Sequence, residues 1–115
     1  MHELSIVMSI IDIAQQQAAK ASATIVEEIE MDIGCLSTVE MNAFEFAWQQ
    51  AVKQTVLENT VTRINRIAGK GKCLDCENIF SLENLYDACP DCKGYLVDVI
   101  EGKELRVKSL VVTRK

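Results

Sequence analysis

Residues 73–92 read CLDCENIFSLENLYDACPDC, and this stretch decides what kind of fold the chain can form. It contains two Cys-x-x-Cys pairs, Cys73/Cys76 and Cys89/Cys92, which are separated by twelve residues. Each pair can form a tight turn that presents two sulfurs, and the residues between the pairs can close the site as a hairpin. Four thiolates placed in this way suit the tetrahedral preference of Zn²⁺ and leave no position open. The spacing therefore predicts a structural Cys₄ zinc ribbon.

Two other interpretations of the cysteines remain. The pair at residues 89–92, Cys-Pro-Asp-Cys, has some likeness to a rubredoxin turn, so iron and electron transfer form an alternative. Disulfides are disfavoured because paired Cys-x-x-Cys spacing in a reducing compartment favours metal binding. The chain has five cysteines, and we interpret the fifth, Cys35, as a small buried hydrophobic side chain. A ribbon of about 25 residues cannot bury enough apolar surface to fold alone, so the metal would stabilise it.

Length and composition set the broad class of the protein. A chain of 115 residues, 49% hydrophobic and 25% charged, is typical of one compact globular domain or of one domain with a small metal-held appendage. No apolar run approaches the roughly 18 residues of a membrane span, and the start of the chain lacks the pattern of a secretory signal. We therefore expect a cytoplasmic protein without a membrane span.

Charge is distributed unevenly along the chain. Residues 1–60 carry two Lys/Arg against nine Asp/Glu, a net charge of −7, whereas residues 61–115 carry ten against eight, a net charge of +2. An acidic first half repels phosphates, so we expect no nucleic acid partner. It is compatible with handling cations, with meeting a basic partner surface, or simply with solubility.

The first 34 residues predict a helix and then a strand. Residues 4–20 show helical spacing, and the expected apolar face consists of Val7, Ile10, Ile11, Ala14 and Ala18. Residues 24–33 alternate instead, which indicates a half-buried strand that ends at Gly34. One face of this strand is expected to be buried, namely Ile25, Ile29, Met31 and Ile33. The other face carries Glu28, Glu30 and Asp32.

A second helix is predicted to follow a capping box at residues 37–40. In this arrangement the Ser37 hydroxyl accepts a free backbone N–H, and the Glu40 carboxylate reaches back to the cap residue. The helix should continue to about residue 57. Its expected core positions are Met41, Phe44, Phe46, Trp48, Ala51, Val52 and Thr55.

The remaining segments complete the predicted fold. Residues 60–68 are rich in β-branched side chains and predict a strand, the Gly69-Lys70-Gly71 segment predicts a flexible hinge, and alternation from Leu105 to Val112 predicts a last strand. The expected fold class is α+β: a small three-stranded sheet with two helices plus an inserted Cys₄ zinc-ribbon module. We expect residues 1–69 and 103–115 to form one domain, and residues 70–102 to form what is called here the ribbon module.

The start of the chain carries the only histidine, in Met1-His2-Glu3. The α-amine of Met1, the backbone nitrogen of residue 2 and the His2 imidazole can enclose one ion in two adjacent chelate rings. Such a nitrogen set favours tetragonal Ni²⁺ or Cu²⁺ over tetrahedral zinc. Glu3 could add its backbone nitrogen or its carboxylate. Alternatively, the histidine is merely exposed, Glu3 is a favourable charge at a helix start and Glu40 is only a capping residue.

These features together resemble a known family, the hydrogenase nickel-incorporation accessory proteins of the HypA/HybF family. The likeness rests on Met-His-Glu-Leu-Ser at residues 1–5, on Ile-Gly-Cys-Leu-Ser with Val-Glu at residues 33–40, and on the paired Cys-x-x-Cys module. The order and spacing of these motifs extend over essentially the whole chain. The combination of the Met-His-Glu start with two cysteine pairs in so short a chain is quite specific.

The resemblance implies a nickel metallochaperone and not an enzyme. It implies a transferable Ni²⁺ held by Met1, His2 and Glu3, with Glu40 at the family's acidic position near the nickel. Structural Zn²⁺ would be held by Cys73, Cys76, Cys89 and Cys92. The implied partners are a nickel-handling GTPase and the large subunit of [NiFe]-hydrogenase, and for some members urease maturation proteins.

Three points qualify the comparison with the family. Some relatives carry histidines beside the cysteine pairs, and this chain has none, so a histidine-based link between zinc and nickel cannot operate. A zinc-ribbon adaptor without nickel transfer is the main alternative, because it explains the cysteines and ignores residues 1–3. No nucleophile with a nearby base and no phosphate-binding Gly loop is found, so any GTP hydrolysis must belong to a partner.

Overall fold

The computed structural model describes residues 3–114 and has an α+β fold. In chain order the elements are α1 (Glu3–Lys20), β1 (Ala23–Gly34), α2 (Met41–Ala51), β2 (Val61–Ile67), β3 (Lys70–Cys73), β4 (Ile79–Ser81), β5 (Val97–Glu101) and β6 (Leu105–Arg114). One three-stranded sheet has the order β2-β1-β6, and a second has the order β4-β3-β5. Two helices, small sheets and an inserted four-cysteine segment confirm the predicted fold class.

Contacts between residues divide the chain into two compact units. The first contains residues 3–31, 39–64 and 107–114, and the second contains residues 32–38 and 65–106. Among the described residues, no helix is long and apolar enough to cross a membrane.

In the first unit, α1 follows the sequence pattern closely. All five predicted core positions of α1 are buried, and its acidic first residue Glu3 and basic last residue Lys20 complement the helix dipole. Their 3.6-residue spacing places them on one stripe, which is what an amphipathic helix needs in order to bury a single face. The other buried side chains of this unit are Val26, Ile29, Met31, Phe44, Val52 and Leu57.

The start of α2 differs from the prediction. The helix begins at Met41, and its N-cap is Glu40, not Ser37. The Ser37 hydroxyl donates to the Gly34 carbonyl at 2.7 Å, so it does not accept an N–H from the helix. The capping box is therefore wrong, because a tight turn after β1 takes up the Ser37 side chain.

The burial of α2 and β1 also departs from the simple patterns. The helix ends at Ala51, earlier than predicted, and within it only Phe44 is buried, while Phe46 is 68% exposed. In β1, Ile25 is exposed and its neighbour Val26 is buried, and residues 31–34 are all buried, so the predicted alternation holds over only part of the strand. The early end of α2 and the exposed Ile25 concern the ends of elements, whereas Phe46 is exposed in the middle of α2.

The carboxylates of β1 pair with side chains of the neighbouring strands. In the first unit, Glu28 pairs with Arg63 and Glu30 with Lys108. In the second unit, the buried Asp32 accepts from Arg106 Nε and Asn65 Nδ2, both at 2.9 Å. The acidic face that the sequence predicted for β1 is thus a paired face, which explains how so acidic a strand can occupy the centre of a sheet.

In the second unit, β3 pairs antiparallel with both β4 and β5. The predicted hinge at residues 69–71 is wrong, because Lys70 and Gly71 belong to β3 and Gly69 and Gly71 are buried. An added Cβ at Gly69 would lie 2.1 Å from the Leu82 carbonyl oxygen, and one at Gly71 would lie 2.7 Å from a Val97 methyl group. These glycines permit close packing; they are not points of flexibility.

Candidate metal sites

The four predicted zinc ligands come together in the ribbon module. Their sulfurs all lie within 4.8 Å of one another, with Cys73 to Cys92 at 3.5 Å and Cys76 to Cys89 at 3.6 Å. A tetrahedral ion about 2.3 Å from each sulfur would separate the sulfurs by about 3.8 Å. Among the described residues, this is the one group of three or more potential ligands in reach of a common ion. The geometry fits a closed structural zinc site.

The two cysteine turns have the same backbone design. The N–H of Glu77 donates to the Cys73 carbonyl at 2.8 Å, and the N–H of Lys93 donates to the Cys89 carbonyl at 2.9 Å. Glu77 and Lys93 both have a φ of 64°, in the left-handed region. In each turn the first cysteine is buried and the second is exposed. The site is therefore assembled by two equivalent turns, each of which supplies one inner and one outer sulfur.

Further backbone contacts complete each turn. The N–H of Cys73 donates to the Asn78 carbonyl, and the N–H of Cys89 donates to the Gly94 carbonyl. Asn78 Nδ2 also lies 3.9 Å from the Cys89 sulfur, so Asn78 joins the two turns. Motif reading missed Asn78 and Gly94, although each follows the second cysteine of its pair by two positions. That repeated offset is the signal that could have identified them.

Backbone N–H groups favour one thiolate in particular. The N–H of Cys92, followed by that of Asp91, lowers the pKa of the Cys89 thiol from 9.0 to about 6, although desolvation opposes the shift. Hydrogen bonds to the charged form of a group lower its pKa in this way. Without a metal, the lowered pKa lets the Cys89 thiol ionise near neutral pH.

The outer sulfurs behave in the opposite way. The backbone N–H of Asn78 favours the Cys76 thiolate, yet desolvation and the neighbouring sulfurs raise the pKa of Cys76 to about 12. The pKa of Cys92 is also raised: the N–H of Gly94 lowers it, but the Cys73 sulfur and desolvation outweigh that contribution. Several negative sulfurs can share this space only with a cation among them, as a zinc site requires.

Cys35 does not join this cluster. Its side chain is exposed, so the interpretation of Cys35 as a buried hydrophobic residue is wrong. Cys35 follows Gly34 at the end of β1, and its N–H donates to the Ile67 carbonyl at 2.8 Å. The backbone hydrogen bond to Ile67 holds residue 35 in place and does not depend on its side chain. A small apolar side chain is therefore not required at this position.

The predicted nickel residues are described only in part. Met1 and His2 lie outside the described residues, whereas Glu3 and Glu40 lie within them and are in contact. Glu3 Oε2 accepts the backbone N–H of Glu40 at 3.1 Å, which joins the first residue of α1 to the N-cap of α2. The Glu40 carboxylate in turn accepts the N–H groups of Asn42 at 3.1 Å and Ala43 at 2.7 Å.

Two helices, two small sheets and a closed four-cysteine cluster define a small metal-binding α+β protein of the zinc-ribbon type. The family model described as hydrogenase/urease nickel incorporation metallochaperone HypA matches residues 1–112. The chain therefore belongs to the HypA family of nickel metallochaperones for hydrogenase maturation.

Individual members of this family are similar to the chain over essentially their full length. The chain is 46% identical to hydrogenase maturation factor HypA of Parabacteroides distasonis over 115 residues, which is all of both chains. It is 38% identical to HypA of Rhizobium leguminosarum bv. viciae over 112 residues, 97% of this chain and 99% of that one. The solution structure of the Ni metallochaperone HypA from Helicobacter pylori matches with a TM-score of 0.72 at 26% identity, covering all of both chains.

Proposed function

We propose that this protein is a nickel carrier that holds Ni²⁺ at its N-terminus and delivers it during maturation of [NiFe]-hydrogenase. The observation that carries the proposal is the family match from residue 1 to residue 112, which includes the Met-His-Glu start. A nickel site made of Met1, His2 and Glu3, with Glu40 beside it, is supported by the contact between Glu3 and Glu40.

The donor chemistry explains how such a site would select and release its cargo. The Met1 amine, the deprotonated amide of residue 2 and the His2 imidazole are nitrogen donors that suit planar Ni²⁺. Glu3 adds a further donor, and Glu40 places a negative charge near the ion. A site at a chain end has few enclosing groups, so the ion can leave without unfolding of a domain.

The four-cysteine cluster has a separate role in this proposal. A closed Cys₄ site leaves no position for an exchanging ligand, so zinc there is structural and the nickel is cargo. The ribbon module then stabilises a surface that partners can recognise.

The partners follow from the same proposal. A carrier without nucleotide chemistry needs a nickel-handling GTPase to control transfer, and the large subunit of [NiFe]-hydrogenase to receive the ion. Urease maturation proteins are further recipients in some members of the family. The exchange would take place in the cytoplasm, where thiols remain reduced.

A nickel titration tests the N-terminal site. Zinc-loaded protein with its native start should bind about one further Ni²⁺ in a nitrogen-rich planar site. His2→Ala should abolish that binding, because it removes the imidazole that closes the second chelate ring, while zinc content and fold persist. Isothermal titration combined with X-ray absorption measures both stoichiometry and ligand type.

The controls separate the site from the rest of the surface. Asp12→Ala alters an exposed carboxylate of α1 away from Glu3 and should leave nickel binding unchanged. An extension placed before Met1 should act like His2→Ala, because it converts the amine to an amide. Nickel binding that survives His2→Ala would overturn the N-terminal assignment. A wild-type protein that binds only zinc would leave a zinc-ribbon adaptor.

A further inference from the structure

The four sulfurs of the ribbon module differ in their access to solvent. In each Cys-x-x-Cys turn the first cysteine is buried and the second is exposed, so Cys76 and Cys92 are the sulfurs that a dissolved oxidant reaches. Thiolates are the form of cysteine that reacts with peroxides, and coordination to a metal keeps cysteine in the thiolate form. The cluster therefore presents two oxidisable sulfurs at the surface.

The close contacts between sulfurs run from one turn to the other. Cys73 lies 3.5 Å from Cys92, and Cys76 lies 3.6 Å from Cys89. Each of these contacts joins an exposed sulfur to the buried sulfur of the opposite turn. Each exposed sulfur thus has a second sulfur beside it, and the oxidant reaches that second sulfur less easily.

Contacts that do not involve an ion also hold the two turns side by side. Asn78 Nδ2, just after the first turn, lies 3.9 Å from the Cys89 sulfur. An added Cβ at Gly94, just after the second turn, would lie 2.9 Å from Asp75 Oδ2 and 3.3 Å from the Cys92 sulfur. The turns therefore abut, which keeps the opposed sulfurs close while a bond forms between them.

We propose that the cluster is an oxidation site at which hydrogen peroxide converts the four thiolates into two disulfides, Cys73–Cys92 and Cys76–Cys89. These disulfides replace zinc as the link between the two turns. The inference goes beyond nickel delivery and does not depend on it. It concerns an oxidising challenge, because in a reducing compartment the thiolates and their metal persist.

The chemistry balances in two identical halves. The exposed thiolate attacks one oxygen of the peroxide, the O–O bond breaks and hydroxide leaves, which gives a sulfenic acid. The buried thiolate of the opposite turn then attacks that sulfur, the S–S bond forms, the S–O bond breaks and a second hydroxide leaves. Each sulfur loses one electron and the peroxide takes both. Four thiolates thus consume about two molecules of peroxide and release about four hydroxide ions.

The closeness of the second sulfur decides the product. A sulfenic acid without a thiol in reach is oxidised further to sulfinic and sulfonic acids, which are not reduced back by thiols. A partner sulfur at 3.5 or 3.6 Å closes the disulfide first. The expected product is therefore one that a thiol reductant can reverse.

The pairing determines what oxidation does to the fold. The two proposed disulfides join residues 19 and 13 positions apart, whereas a disulfide within one turn would join residues about three positions apart. Closing a longer loop restrains the unfolded chain more, and a link between the turns also keeps them together. The oxidised ribbon module should therefore stay folded without zinc.

The sequence allows the pairing to be mapped directly. Cleavage on the N-terminal side of each aspartate places the four cysteines on separate peptides, which are 32–74, 75–86, 87–90 and 91–97. Full-length, zinc-loaded Cys35→Ser protein is treated with peroxide, and its free thiols are blocked before cleavage. Cys35 is replaced because it shares a peptide with Cys73. Mass spectrometry without reductant should find the Cys73 peptide joined to the Cys92 peptide. It should find the Cys76 peptide joined to the Cys89 peptide.

Zinc release and amide exchange complete the experiment. A coloured chelator should detect about one zinc released per chain after about two equivalents of peroxide, equally in wild type and in Cys35→Ser, because Cys35 lies outside the cluster. Amides of residues 70–101 should exchange at least about tenfold more slowly in the oxidised zinc-free chain than in the reduced zinc-free chain. A thiol reductant followed by zinc should restore the original exchange pattern.

Three results would overturn the proposal. Disulfides within the turns would show that the contacts between turns do not direct the reaction. Sulfinic or sulfonic acid at Cys76 or Cys92 would show that the buried sulfurs do not capture the first product. Retention of zinc under excess peroxide would show that the exposed sulfurs are not oxidised. The nickel titration does not enter these results, so the proposed function and the oxidation site fail independently.

Discussion

The ribbon module and the proposed nickel site at the start of α1 differ in what holds their side chains in place. In the ribbon module, four sulfurs lie within 4.8 Å of one another, and two equivalent backbone turns fix them. At the start of α1, the described carboxylates of Glu3 and Glu40 face backbone N–H groups. In a permanent site the ligands themselves hold the local fold together through the ion. Around an exchangeable site, contacts that do not involve the ion can hold the fold, so that the fold persists when the ion leaves.

Removing a sulfur should produce the largest effect in the molecule. Cys89→Ser should release zinc and unfold the ribbon module, because apparent binding energies of structural zinc are about 10–16 kcal/mol and much of this is folding energy. Elemental analysis and amide exchange over residues 70–101 measure the result. Cys35→Ser is the matched control, since Cys35 is exposed and outside the cluster. A folded, zinc-bearing Cys89→Ser protein would contradict the structural role.

The pH dependence of zinc binding should be the next largest effect. At pH 7 the Cys89 thiol, with a pKa of about 6, is already ionised, whereas Cys76, with a pKa of about 12, and Cys92, whose pKa is also raised, carry protons. Zinc must displace at least these two protons, so its affinity should rise with pH by at least about a hundredfold per unit above pH 6. Conversely, zinc affinity should decrease as the pH falls, because protons then compete with zinc for the thiolates.

Competition with a coloured chelator at pH 6.5, 7.0 and 7.5 measures that slope. Below about pH 6 Cys89 must also lose a proton, so the slope should steepen by about one further proton. A slope of one proton or fewer above pH 6 would mean that the cluster is already ionised before zinc binds. Nickel binding measured in parallel compares the two sites under the same conditions.

The smallest effect separates the observed cap of α2 from the one that the sequence predicted. Glu40→Ala should destabilise the protein by about 1 kcal/mol, the usual cost of losing an N-cap, and should speed exchange of the Asn42 and Ala43 amides. Ser37→Ala should leave those two amides unchanged, because the Ser37 hydroxyl donates to Gly34. Faster exchange of the Asn42 amide in Ser37→Ala would instead support the capping box that the sequence predicted.

Sequence patterns predict this fold best where one periodicity governs an element. All five predicted core positions of α1 are buried because a single stripe faces the core. The spacing alone predicted that the four cysteines would cluster, because two cysteines with two residues between them can form one tight turn that presents both sulfurs.

The errors arise where distant residues decide the local structure. Glu40 caps α2 through its own carboxylate, and its N–H is accepted by Glu3, 37 positions away in the chain. No local pattern contains the second contact. Gly69 is buried because the Leu82 carbonyl passes too close for any Cβ. A sequence alone does not distinguish a glycine needed for close approach from one needed for flexibility.

The strand order β2-β1-β6 has a consequence for how the protein reaches its folded state. Strands β1 and β6 are neighbours in the sheet but are separated by roughly 70 residues, and bringing such distant segments together carries an entropy cost that grows with the intervening length. The sulfurs of Cys73 and Cys92 lie 3.5 Å apart, so zinc bound between them would link two points of that connection and shorten it. When a chelator removes zinc, we expect β6 to pair with β1 more slowly during refolding. The supply of zinc would then govern how quickly the scaffold of the proposed nickel site is completed.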